Sequence, residues 1–157
     1  EVNLHHCLED AMQLLRLNKR SPDIEFVNQS DPELLVIGDS QRLVQVFINL
    51  LSNARDASQP GQQVIADTLA DMHQVTVRVT DQGHGIPPDT LEQVFEPFFT
   101  TKEVGKGTGL GLALVYSIIE EHYGQVQIVS PVTGNAGTCV KVSLPRYLPE
   151  NRMETNL

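Results

Sequence analysis

The chain has 157 residues, the usual size of a single domain, and its composition is that of an ordinary globular protein. Its 11 basic and 20 acidic side chains give a formal net charge of −9, and no basic run could neutralise a nucleic-acid backbone. No apolar run reaches the ~20 residues of a transmembrane helix, and residues 1–20 lack the pattern of a signal peptide, so we expect neither nucleic-acid binding nor direct membrane contact.

The apolar positions predict an ordered series of helices and strands. In chain order these are a short strand at 2–4, a helix at 4–17, strands at 24–28 and 34–37, a helix at 41–57, strands at 63–69 and 75–80, a helix at 108–122, and strands at 125–129 and 138–144. Asp31-Pro32 is a turn pair between the second and third strands. Asp39 or Ser40 is expected to cap the 41–57 helix, and Gly124 to be the C′ residue of the 108–122 helix.

This order of elements predicts an α+β fold. Many strands are neighbours in sequence, which favours hairpins and argues against a doubly wound parallel sheet. We expect a two-layer α/β sandwich, in which a mixed, mostly antiparallel sheet is covered on one face by three main helices. Residues 1–147 are predicted to form one domain and residues 148–157 a flexible C-terminal tail. Cys7 and Cys139 are expected to be buried free thiols in a reducing compartment.

Two asparagines interrupt the apolar pattern of the predicted 41–57 helix. Asn49, Asn53 and Asp56 are spaced by four and three residues, so they share one stripe beside the apolar face. Asparagine is a poor helix-interior residue because its side chain competes for backbone hydrogen bonds. The stripe therefore indicates a polar ligand or a metal ion, and an Asn carbonyl suits Mg²⁺ held together with phosphate. The alternative is a solvated polar face with a chance pair of asparagines.

An Asp-x-Gly-x-Gly string follows the predicted strand at 75–80. Asp81 places a carboxylate where Gly83 and Gly85 let backbone approach a ligand closely. An ionised carboxylate only accepts hydrogen bonds, so it can receive the amino protons of adenine. Most strings of this kind are turns, and alone the signal is weak.

Alternating glycines lead directly into the predicted helix at 108–122. The segment Gly105-Lys106-Gly107-Thr108-Gly109-Leu110-Gly111 matches neither a Walker A loop nor a dinucleotide fingerprint. Backbone N–H groups at such a helix start bind phosphate, and Lys102 and Lys106 bracket the segment. A flexible loop with solvated lysines is the alternative.

Three of the five phenylalanines of the chain are Phe95, Phe98 and Phe99, in a loop region. Exposed phenylalanine favours aggregation, so we expect these side chains to pack a mobile lid against the domain. A plain core segment is the alternative.

Taken together and in this order, these segments resemble the catalytic, ATP-binding domain (HATPase_c) of bacterial two-component sensor histidine kinases, in the GHKL ATPase superfamily. The likeness covers about residues 2 to 145. The matching segments are residues 47–57 (N box), 81–87 (G1 box), 95–102 (F box), 105–112 (G2 box) and Gly137-Thr138 before Leu144-Pro145 (the terminal glycine motif). The five matches in order and spacing leave little room for chance.

The resemblance implies contacts with ATP along most of the chain. The residues so implied are Asn49, Asn53, Asp81, Gly83, Gly85, Ile86, Lys102, Lys106, Gly107, Thr108, Gly109, Leu110, Gly111 and Thr138. Asn53 would coordinate Mg²⁺ bridging the phosphates, Asp81 would receive the adenine amino group, and Thr138 would help through a water. Gly83 and Gly85 would let the backbone lie against the nucleotide.

The phosphate end of the nucleotide would meet the second glycine segment. Residues 107–111 would cap the phosphates at the start of the helix, and residues 95–106 would form the ATP lid. Asp56 departs from many kinases, which carry a basic residue there. Phosphate contact would then come from Lys102, Lys106, Arg55 or backbone alone, and the sequence does not choose among them.

One position separates the branches of the superfamily. Hydrolytic members place a Glu general base one helical turn before the Mg²⁺ asparagine, whereas this chain has Asn49. An amide cannot accept a proton as a base at neutral pH, so water activation is disfavoured, as suits a kinase that keeps the γ-phosphoryl group for transfer.

The resemblance thus implies a protein histidine kinase domain that donates the γ-phosphoryl group of Mg-ATP to a histidine on a separate dimerisation domain. His5 and His6 lack the usual His-Glu or His-Asp signature, so we expect the phosphoacceptor outside this sequence. The implied partners are that dimerisation domain, in a homodimer, and a response regulator receiver domain. We expect a cytoplasmic location, whether or not a longer protein is tethered to the inner membrane.

Two other classes of function are weighed against this one. A stand-alone GHKL ATPase or protein serine kinase would release phosphate steadily. A non-catalytic nucleotide-binding interaction module would keep the fold without the reaction, but the intact glycine segments and both asparagines argue against it.

Overall fold

The helices and strands follow one another along the chain in the order that the sequence pattern predicts. The computed structural model describes residues 1–17, 23–83, 111–129 and 137–149. The helices are α1 (Leu4–Leu17), α2 (Ser40–Ala57) and α3 (Gly111–Glu121). The strands are β1 (Val2–Asn3), β2 (Glu25–Gln29), β3 (Leu35–Val36), β4 (Gln63–Ala70), β5 (Gln74–Asp81), β6 (Gln125–Val129) and β7 (Thr138–Tyr147).

The strands form one mixed sheet in the order β1-β3-β7-β5-β4-β2, with β6 also paired to β7. The pair β2–β4 is parallel, and the other pairs of described strands are antiparallel. The turn at Asp31-Pro32 forms, but β2 and β3 do not pair with each other. Instead β2 forms one edge of the sheet, and β3 pairs with β1 and β7. The parallel pairing of β2 with β4 needs a crossover connection, and this connection contains α2.

The hydrophobic core lies between the sheet and the helices. Alternate residues of β5 face the helices, and Val75, Val77 and Val79 lie opposite Leu144, Val142 and Val140 of β7. Helix α2 packs against α1, α3 and the sheet, and Phe47 at its centre is fully buried. Burying such a side chain stabilises the fold by about 1.5–3 kcal/mol. The predicted two-layer α/β sandwich with three helices is confirmed.

The helix ends follow local rules, with one correction. The Asp39 side chain accepts hydrogen bonds from the Gln41 and Arg42 N–H groups and is the N-cap of α2. At the end of α3 the left-handed C′ position (φ 63°) is taken by Tyr123 and not by Gly124 as predicted. The Gly124 N–H donates to the Ile119 carbonyl at 2.9 Å, and a Cβ at Gly124 would lie 2.3 Å from the Ser143 oxygen. Close packing against β7 therefore requires this glycine.

Two other expectations can be compared with the structure, and a third stays a prediction. Cys7 and Cys139 are both buried and unpaired, as predicted. No helix in the described ranges is long and apolar enough to cross a membrane. Residues 150–157 of the expected tail lie outside the described residues, so the tail and the single-domain boundary stay predictions.

Candidate functional site

Asn53, one of the two asparagines of α2, lies near the start of α3. Asn49 and Asn53 are one helical turn apart and partly exposed. A Cβ placed on Gly111, the first residue of α3, would lie 3.5 Å from Nδ2 of Asn53. The Asn53 amide is therefore next to the N-terminal end of the described part of α3, where the helix dipole favours an anion. An amide oxygen beside such an anion suits a hard cation that binds with phosphate.

A buried carboxylate ends strand β5. The Asp81 residue is 6% exposed, and its Oδ1 accepts a hydrogen bond from the Gly83 N–H at 2.9 Å. Thr138, at the start of β7, lies directly opposite and is 7% exposed. A carboxylate is rarely buried without a partner. Here the Gly83 bond holds Oδ1 and fixes the orientation of the group.

Gly83, just after β5, contacts both the end of α2 and the residue before β7. Its carbonyl accepts from the Gly137 N–H at 2.8 Å, and Gly137 has φ 91°, which favours glycine. A Cβ on Gly83 would lie 2.1 Å from the Ala57 carbonyl oxygen at the end of α2. The structure thus gives Gly83 a packing role against α2, which the Asp-x-Gly-x-Gly pattern did not suggest.

The same contact brings the predicted polar residues together. Ala57 lies four residues after Asn53 and so on the same face of α2. Since Gly83 contacts Ala57 and Gly111 contacts Asn53, the end of β5 and the start of α3 both meet the last two turns of α2. The Asp81 carboxylate and the Asn53 amide consequently both lie near the C-terminal end of α2, with Asn49 one turn nearer to its start.

Arg55 faces the other side of α2. This side chain is 6% exposed, and its Nη1 donates to the Leu15 carbonyl oxygen in the last turn of α1, at 3.5 Å. Helix α2 lies between α1 and α3, so Arg55 points away from the Asn53 side. Of the candidates for phosphate contact, Arg55 is therefore a packing residue that joins α1 to α2.

The remaining predicted site residues lie outside the described residues. They are Gly85, Ile86, Lys102, Lys106, Gly107, Thr108, Gly109 and Leu110. The predicted lid, residues 95–106, lies outside them as well.

The chain matches a known protein family over most of its length. Residues 38–148 match the family model HATPase_c, described as "Histidine kinase-, DNA gyrase B-, and HSP90-like ATPase". The chain is 43% identical over 134 residues to the "Sensor kinase CckA" of Brucella abortus (strain 2308), covering 76% of this chain and 14% of the relative. It is 43% identical over 146 residues to the "Sporulation kinase A" of Bacillus subtilis (strain 168), covering 92% of this chain and 23% of the relative. The chain thus spans less than a quarter of these relatives.

Solved structures share the same fold. A mycobacterial sensor histidine kinase, MprB, superposes with a TM-score of 0.83 at 34% identity, covering 94% of this chain and 97% of that one. Full-length ShkA in complex with AMPPNP superposes with a TM-score of 0.80 at 25% identity, covering 94% of this chain and 31% of that one.

Proposed function

Because the chain belongs to the histidine kinase-, DNA gyrase B- and HSP90-like ATPase family, we propose that it binds Mg-ATP. We propose further that it donates the γ-phosphoryl group to a histidine on a separate dimerisation domain in two-component signal transduction. The observation that supports this most is the meeting of Asp81, Asn53 and the start of α3 at one end of α2. The AMPPNP complex of the similar ShkA supports an adenine nucleotide as the ligand.

The adenine end of the nucleotide is assigned to Asp81. Its Oδ1 is held by Gly83, which leaves the carboxylate oriented to accept the exocyclic amino protons of adenine. Thr138 lies opposite and would join through a water. Guanine carries a carbonyl oxygen where adenine carries the amino group, so the same carboxylate would repel GTP. Asp81 is thus proposed to select the base as well as to bind it.

The phosphate end is assigned to Asn53 and to the N-terminus of α3. The residues present fit Mg²⁺, because an amide oxygen is a hard ligand and Asn53 lies beside the first residue of α3. Mg²⁺ would supply positive charge that offsets the phosphates. A chain with a net charge of −9 lacks a general positive potential, so local groups must attract the nucleotide. Residues 107–110, Lys102 and Lys106 are proposed to complete this end.

The reaction is proposed to be transfer and not hydrolysis. Asn49 occupies the turn of α2 before Asn53, and its amide cannot remove a proton from water. The γ-phosphoryl group therefore stays available to a histidine nucleophile. The proposed partners are the dimerisation domain that carries this histidine, in a homodimer, and a response regulator receiver domain. The proposed location is the cytoplasm.

Two assays on the same preparation test the proposal. The chain is mixed with γ-labelled ATP, Mg²⁺ and a separately produced phosphoacceptor domain of a sensor histidine kinase. We expect an acid-labile, alkali-stable phosphohistidine on that domain and little free phosphate from the chain alone. Steady phosphate release by the chain alone would instead support an ATPase. Nucleotide binding with neither phosphohistidine nor free phosphate would support the non-catalytic nucleotide-binding interaction module.

A further inference from the structure

A histidine at the end of α3 joins this helix to the start of α2. Nε2 of His122 accepts a hydrogen bond from the Asp39 N–H at 3.1 Å, and Nδ1 lies 2.8 Å from the Ile118 carbonyl. Since a carbonyl only accepts, Nδ1 carries the proton and Nε2 is the acceptor. Both ring nitrogens are therefore occupied by backbone groups, one on α3 and the other at the N-cap of α2.

The chain is shaped to receive this ring. A Cβ on Gly38 would lie 2.5 Å from Cδ2 of His122 and 3.2 Å from Cδ1 of Leu43, so a glycine leaves the space that the ring fills. An ion pair between Arg42 and Glu121 flanks the contact. Both side chains of that pair are about half exposed, and such pairs contribute little. The His122 ring is thus the specific element of the junction.

The junction lies at the far end of the helix pair from the proposed site. The start of α2 meets the end of α3 at Asp39 and His122, whereas Asn53, late in α2, meets Gly111, the first residue of α3. The two helices therefore run antiparallel, with a fixed point at one end and the proposed phosphate site at the other. Displacing α3 by one residue would move its N-terminus by about 1.5 Å, which exceeds the tolerance of a hydrogen bond.

We infer that His122 is a positioning residue for nucleotide phosphate: its bond to the Asp39 N–H sets the register of α3 along α2 and so places the N-terminus of α3 against Asn53. This inference rests on the proposed function. His122 contacts no nucleotide and acts through α3. Its effect is confined to the phosphate end, because the Gly83 N–H holds the Asp81 carboxylate and the β5–β7 pairing positions its backbone, both away from the junction.

Two substitutions separate the two bonds of the ring. In His122→Gln the side-chain oxygen reaches the position of Nε2 and can still accept from Asp39. In His122→Asn the shorter amide can replace only the Nδ1 bond to Ile118. We expect His122→Asn to weaken Mg-ATP binding about 5- to 10-fold and His122→Gln to stay within about twofold of wild type. Binding of adenosine, which lacks phosphates, is expected to be equal in all three proteins.

An NMR measurement on the nucleotide-free protein tests this inference separately from the proposed function. The Asn53 side-chain amide resonance of the free protein should shift in His122→Asn and not in His122→Gln. If wild type binds no ATP but this shift occurs, the proposed function fails, and His122 sets the register of α3 along α2 without a nucleotide to position. If wild type binds ATP while His122→Asn changes neither the resonance nor the affinity, the positioning role is overturned.

One further variant controls for stability and another tests the same contact a second way. Phe26→Leu removes buried volume in β2, away from the junction, and should lower the melting temperature without changing ATP affinity in the folded protein. An equal loss of ATP affinity in this variant and in His122→Asn would overturn the inference. Should His122→Asn not fold, Gly38→Ala tests the same contact, because its Cβ would displace the ring. Unchanged ATP affinity in Gly38→Ala with a displaced ring would also overturn it.

Discussion

Asp81 and Thr138 lie opposite each other at the end of the β5–β7 ladder, and both are almost fully buried. This is the last residue pair of the ladder, at the end of β5. The Gly83 N–H donates a hydrogen bond to Oδ1 of the Asp81 carboxylate. A buried carboxylate oriented in this way is a selective hydrogen-bond acceptor. Its proposed contribution to ATP affinity can be measured with a substitution that removes only its charge.

Asp81→Asn preserves size and keeps an oxygen for the Gly83 N–H, but it turns an NH₂ group toward the adenine amino group. Two donors then face each other, so we expect ATP affinity to fall about 10- to 100-fold in calorimetry. Asp67→Asn is the matched control, because Asp67 pairs with Arg78 on the sheet face away from the helices. Equal ATP affinity in Asp81→Asn and wild type would contradict the assignment of adenine to this residue.

Gly83→Ala should cost more stability than the same change at Gly61. The Gly83 Cβ would meet the Ala57 carbonyl at 2.1 Å, whereas a Cβ on Gly61 meets nothing within 4 Å, although its φ of 90° is strained. We expect a loss of about 3 kcal/mol or more for Gly83→Ala and about 1 kcal/mol for Gly61→Ala. Urea unfolding measures both. A smaller cost at Gly83 than at Gly61 would show that the close contact with α2 is not rigid.

Tyr123→Asn should stabilise the protein. Tyr123 is 89% exposed and holds φ 63°, a backbone conformation that asparagine tolerates better than tyrosine. Little packing is lost, so the free energy of unfolding should rise by about 0.5–1 kcal/mol. Thermal unfolding is the measurement, with Tyr123→Phe as the control that leaves the strain in place. A lower melting temperature for Tyr123→Asn would mean that the ring makes a stabilising contact.

Burial of Cys7 predicts a loss of stability in alkali. Burial raises the pKa of this thiol from 9.0 to about 11, and the Asp10 carboxylate adds to the rise. Between these two pH values the unfolded chain has released a proton that the folded chain keeps, so the free energy of unfolding falls as pH rises. Urea unfolding from pH 8 to 11 should show a shallower decline for Cys7→Ala than for wild type. Parallel declines would contradict the prediction.

The sequence pattern is sufficient to predict the bounds of helices whose apolar residues face the core. The spacing of apolar residues by three and four predicts α1 and α2 within one residue of their observed bounds, and Asp39 is one of two predicted candidates for the α2 cap. Strand pairing was harder, because the partner of β2 is chosen by the α2 crossover and not by its neighbour in sequence.

Contacts that depend on backbone atoms could not be predicted. No side-chain pattern shows that the Ala57 carbonyl meets Gly83, or that the Ser143 oxygen requires Gly124 and leaves the left-handed position to Tyr123. Arg55 looked available to phosphate because its charge is visible in the sequence and its bond to the Leu15 carbonyl is not. The signal for His122 was a histidine at a helix end, and its partner Asp39 is 83 residues away.

The most direct test of the central claim is the effect of Mg²⁺ on ATP binding in wild type and Asn53→Ala. Calorimetric titrations are made with and without Mg²⁺, and Gln45→Ala, an exposed amide elsewhere on α2, is the control. We predict that Mg²⁺ strengthens ATP binding to wild type and to Gln45→Ala, and that Asn53→Ala loses this gain. An equal gain from Mg²⁺ in Asn53→Ala and wild type would contradict the claim that Asn53 holds the metal at the phosphates.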